Sequence, residues 1–104
     1  MNTARASSGR DLKDLFEAVL RLGAEKECEE FFADLCTPAE LLAMADRWKA
    51  ARLLDQGLPY REIYEKTGVS TATVTRVARA LFNGQGGYRK ALDRRQAKRS
   101  PARD

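Results

Sequence analysis

The chain has 104 residues, 43% of them apolar and 33% charged, with a net charge of +4 and no histidine. That length fits one small domain, and a single copy would bury only about 60–65% of its unfolded surface, so dimerisation is one way to enlarge a marginal core. The composition argues against an enzyme, a metalloprotein, a cofactor carrier or a membrane protein. The usual general base is missing, there is no phosphate loop or nucleophile elbow, and no apolar run approaches the ~20 residues of a span.

Residues 1–10 are small and polar, lack the apolar segment of a signal peptide, and are expected to be disordered. The domain is expected over residues 11–96. A first helix is predicted from Asp11 to Leu22, where Leu12, Leu15, Phe16, Val19 and Leu22 form one apolar stripe. Asp11 or Gly9 would cap it and Gly23 would end it.

A second helix is predicted over Glu25–Leu35, with Cys28, Phe31, Phe32 and Leu35 on one face and acids on the other. Its apolar load suits either core packing or a dimer face. Cys28 and Cys36 are too few and wrongly spaced for zinc, so both are read as small core hydrophobes of a reduced, cytoplasmic protein.

Thr37-Pro38-Ala39-Glu40 is a capping box with proline at the first helical position. The third helix then runs to about Gln56, where Gly57 and Pro59 stop it. Apolar residues on most of its faces predict a buried central helix, with Arg47, Lys49 and Arg52 reaching from its edges to water or lining a pocket.

Residues 60–82 form the stretch that carries function. A helix over Tyr60–Thr67, a turn at Gly68-Val69-Ser70 and a helix to about Phe82 have the layout of a helix-turn-helix. Ser70 is a good N-cap. Val74, Val77, Ala78 and Leu81 take the inner side. Ser70, Thr71, Ala72, Thr75, Arg76 and Arg79 take the outer side, where hydroxyls can bond bases or phosphates, alanine can touch a thymine methyl and arginine can read guanine. No acid occurs between Lys66 and Asp93. Arg61 and Lys66 add cations on the first helix of the pair. Tyr64 stands where such motifs usually carry a small residue, so it must point outward or the helices must splay.

A last helix is predicted over Tyr88–Gln96, with Tyr88, Ala91 and Leu92 as its apolar side. Residues 97–104 are read as a disordered basic tail that either tracks phosphates or is simply a solvated terminus. Charge is unevenly spread. Residues 11–34 carry eight acids and three bases, net −5, whereas residues 89–104 carry seven bases and two acids, net +5. A basic C-terminal half suits a polyanion such as double-stranded DNA.

The capping box, the long third helix, GVSTATVTRV at 68–77 and GGYRKALDR at 86–94 together resemble the Trp repressor superfamily, and within it the YerC/YecD branch. The likeness runs from about Leu12 to Arg94. It implies an all-α fold of about six helices, an intertwined homodimer, and two reading heads that place the second helix of the motif in the DNA major groove. By the same resemblance Arg61, Thr71, Ala72 and Thr75 fall where the family contacts bases or phosphates, and the function is that of a transcriptional regulator, expected to be a repressor.

The family's ligand carries over less well. Arg47 and Arg76 match the two arginines that hold tryptophan, and Thr37 is retained. However, Val77 stands where a small glycine makes room for the indole, and Ala80 replaces a serine. Overpacking on that scale costs about 1–3 kcal/mol. Control by tryptophan is therefore not expected. Two readings of the Arg47, Arg76 and Val77 group stay open. The arginines hold another small anionic corepressor, or Val77 and Trp48 fill the slot while the arginines pair with acids such as Asp46 or meet phosphate. A scaffold that keeps the fold without reading DNA is a further alternative, favoured by Glu62 and Glu65 on the first helix of the head.

Overall fold

The computed structural model describes residues 8–99, which form six α-helices with no strand among them. They are α1 (Ser8–Leu20), α2 (Glu25–Leu35), α3 (Pro38–Asp55), α4 (Tyr60–Thr67), α5 (Thr71–Asn83) and α6 (Gly87–Arg99). The bounds of α2 and α4 agree with the sequence reading. Helix α1 starts three residues before Asp11, and α6 continues to Arg99, so 8–10 and 97–99 are helical where disorder was expected. The rest of those two termini, 1–7 and 100–104, lies outside the described residues.

The chain divides into two compact units, Met1–Leu41 and Leu42–Asp104. In the first, helix ends are well satisfied. Thr37 and Glu40 exchange both capping-box bonds, the Thr37 amide donating to Glu40 Oε1 at 2.8 Å and the Glu40 amide to Thr37 Oγ1 at 3.1 Å. The Gly23 amide donates to Glu27 Oε1 at 2.7 Å. Phe31 and Phe32 meet edge to face, 5.4 Å between centroids. Yet no side chain described from Gly9 to Leu41 is buried. Leu12 is 51% exposed, Phe16 59% and Leu20 82%, and the two cysteines are half-buried and free rather than core residues.

The second unit holds the core. Ala50, Ala51 and Leu54 of α3, Ile63 of α4, Val69 of the turn, Val74, Val77, Ala78 and Leu81 of α5, and Leu92 of α6 are all buried, with Trp48, Leu53, Leu58 and Tyr88 packed around them. Helix α3 is therefore buried only in its C-terminal part. Leu42 and Met44 are exposed, against the expectation of a helix covered on most faces. Its apolar residues circle the helix, but the core reaches only one end of it.

Two devices hold α3 and α6 in place. Helix α3 ends in a Schellman motif, with Gly57 at φ +89°, the Gly57 amide donating to the Leu54 carbonyl and the Leu58 amide to the Leu53 carbonyl. Arg89 of α6 then donates to Asp55 through both terminal guanidinium nitrogens, at 2.8 and 3.2 Å, and also reaches Asp93 at 2.9 Å. Nearby, the Trp48 and Tyr88 rings stack at 6.4 Å.

The hydrogen bonds from Arg89 hold the Asp55 carboxyl below its ordinary value of 3.8, against a smaller opposing effect of burial. A lowered folded-state pKa gives stability that is whole above the unfolded value and fades as pH falls through the folded one. The contribution of this pair to thermal stability should thus be full and constant with pH near neutrality and fade below about pH 4. Asp55→Asn should lower the melting temperature at pH 7 and flatten the acid limb. An unchanged acid limb in the variant would show that the pair does not couple to folding.

Candidate nucleic-acid interface

Helices α4 and α5 pack together across a three-residue turn built by local chemistry. The α4 helix ends at Gly68, whose φ of +79° is strained for any residue with a side chain, and the Gly68 amide donates to the Tyr64 carbonyl at 2.8 Å. Thr67 completes the turn. Its hydroxyl donates to the Ile63 carbonyl at 2.7 Å and accepts the Val69 amide at 3.0 Å, which seats Val69 in the core. Ser70 then caps α5, its hydroxyl accepting the Thr73 amide at 3.1 Å.

The Thr67 relay was not recognised from sequence, although a threonine before a Gly-Val turn could have suggested it. Thr67→Val keeps the shape but leaves a part-buried amide without its acceptor. A loss of about 1–3 kcal/mol in urea unfolding is expected, with Thr67→Ser retaining most of the parental stability. Equal behaviour of the two variants would remove the hydroxyl from the explanation.

This geometry sorts the residues of α5 into two sides. Val74, Val77, Ala78 and Leu81 are buried, while Ser70, Thr71, Ala72, Thr75, Arg76 and Arg79 are all exposed. The first turn of α5 carries no acid, so its positive dipole end faces solvent unopposed. On α4, Arg61 is exposed and pairs with Glu65 at 3.5 Å, and Lys66 lies 3.9 Å from Glu62. Glu62 and Glu65, which favoured the scaffold reading, are thus engaged by cations of their own helix. Such exposed pairs are worth only about 0.3–0.5 kcal/mol and yield readily to a phosphate. Tyr64 is 50% exposed, so it points outward.

Residues 10–96 match the family model described as Trp repressor protein. The chain belongs to the Trp repressor family. It is 45% identical over 86 residues to the uncharacterized protein YerC of Bacillus subtilis (strain 168), covering 83% of each chain. Among solved structures it resembles a TrpR-like protein from Eubacterium eligens ATCC 27750 at 38% identity and a TM-score of 0.79, covering 86% of this chain and 93% of that one. A candidate Trp repressor from Staphylococcus aureus gives 38% identity and a TM-score of 0.81, covering 92% and 95%.

Within this Trp repressor family chain, the group read as an effector pocket is arranged as follows. Val77 is a core residue, 1% exposed. Arg47 and Arg76 are both exposed, and neither makes an ion pair or hydrogen bond among the described residues, so the expected pairing with Asp46 does not form. Trp48 is half-buried against Tyr88 rather than free. Among the described residues no cluster of histidine, cysteine or acid side chains could hold a metal, and no helix is long and apolar enough to cross a membrane.

Proposed function

We propose that this member of the Trp repressor family is a homodimeric regulator of transcription, a repressor that reads double-stranded DNA with α5 in the major groove and works in the cytoplasm without tryptophan. The observation that carries the reading is the outer face of α5. Six small, hydroxylic or cationic side chains are exposed there, at a helix N-terminus with no acid in its first turn, and among the described residues Arg76 has no partner to give up before meeting a base. Family membership supports the same reading.

The dimer rests on the first unit. A segment with Leu12, Phe16 and Leu20 exposed and no buried side chain of its own needs another surface to cover it. A second copy supplies one, and a two-fold pair of heads then sets a half-site spacing.

Selection of bound sites from random duplexes tests all of this together. A two-fold-symmetric consensus is expected. Enrichment of no sequence, with no binding at low salt, would refute the regulator and favour the scaffold.

Unlike the scaffold, an anion-responsive repressor has one specific observation behind it: Arg47 and Arg76 are both exposed and unpartnered among the described residues. Against tryptophan stands the burial of Val77. A thermal-shift screen of amino acids and small carboxylates separates the cases, because ligand at 100 times its Kd adds about 2.7 kcal/mol. No shift is expected with tryptophan.

A further inference from the structure

Helix α6 has a second cationic surface that the reading head does not use. Lys90, Arg94 and Lys98 recur every four residues and so line one side of the helix. Tyr88 and Leu92, which pack on the core, fall on the opposite side. All three cations are exposed, and none is ion-paired or hydrogen-bonded among the described residues. The acid of α6, Asp93, lies off the stripe and is held by Arg89 at 2.9 Å, as is Asp55 of α3. The Arg89 cluster thus draws two carboxylates away from the stripe and ties α6 to the core.

We infer that Lys90, Arg94 and Lys98 form a sequence-independent binding stripe for the phosphate backbone of duplex DNA, separate from the base-reading face of α5. The inference rests on the DNA-binding reading above. Charge complementarity supports it, since three unpaired cations in a row are costly together and are relieved by a polyanion. So does continuity with the head. Helix α6 packs on α5, and between Lys66 and Asp93 the chain has no acid to repel phosphate.

The test uses the full chain with Lys90, Arg94 and Lys98 all changed to glutamine. Binding to the selected operator and to a scrambled duplex of equal length is followed by fluorescence anisotropy from 50 to 200 mM potassium chloride. Each phosphate contact contributes about 0.9 to the salt slope, so the variant should lose up to about 2.7 of slope per chain. Over that salt range the parent then weakens about 40-fold more than the variant per chain.

The loss should be equal for operator and scrambled DNA, leaving their ratio unchanged, with the same helicity and sedimentation as the parent. An unchanged slope would overturn the stripe. So would a variant whose oligomeric state changes while its slope does not, which would place the stripe against the acidic α2 of another copy. Parent protein that binds neither duplex at low salt would instead defeat the regulator reading, and the stripe with it. An Arg76→Ala control distinguishes the two surfaces, because it should weaken the operator more than scrambled DNA.

Discussion

Ile63→Ala should destabilise the protein by about 2–5 kcal/mol. Ile63 is fully buried and is, with Val74 and Val77, among the three largest side chains enclosed completely. The other buried side chains are alanines, valines and leucines already in close packing, which relax only partly into the space left by three missing carbons. A protein of this size has only about 5–15 kcal/mol to lose, so one substitution removes a large share. The midpoint of urea unfolding should fall sharply, and DNA binding should weaken with warming as the head melts. Tyr64→Ala is the neighbouring control. With its ring half exposed, it should change stability by no more than about 0.5 kcal/mol. Equal midpoints for the two variants would mean that the core is misplaced.

Arg76→Ala is expected to do the reverse. The side chain is exposed and has no partner among the described residues, so folding should be unaffected to within about 0.5 kcal/mol. Operator binding should weaken by about 1–3 kcal/mol for each head that loses a bidentate guanine contact, roughly fivefold to 150-fold. Arg76→Lys keeps the charge without the planar fork, so it should preserve the salt slope while relaxing sequence preference. Parental affinity in Arg76→Ala would remove this residue from the interface. Arg76 and Val77 are adjacent in the chain, and the helical turn alone sends one to the groove and the other to the core.

How far the sequence was legible depended on whether a signal was local. The capping box at Thr37, the bounds of α2 and α4, the cap at Ser70 and the inner and outer sides of α5 all follow from spacings of three or four residues, and all stand in the structure. Tyr64 was legible as a departure, and its outward turn resolves the choice in favour of an undisturbed helix pair.

What could not be read was long-range or partner-dependent. Asp55 and Arg89 lie 34 residues apart, and nothing in periodicity links them. The apolar pattern of α3 announces burial but not by what, which is why Leu42 and Met44 remain exposed in a single chain. Thr67 was missed for another reason. Threonine is common in helix ends, and its double role depends on the carbonyl of Ile63 and the amide of Val69 being brought to one point.

The placement of the core also sets an order of assembly. Every buried side chain described lies between Ala50 and Leu92, in helices joined by short turns. Such contacts close small loops, so they form quickly and within one chain. The two leading helices have no enclosed side chain to gain in that step. On the dimer reading they consolidate only when two chains meet. Refolding should then show a fast first-order phase that is indifferent to dilution, followed by a second-order phase that slows as the protein is diluted.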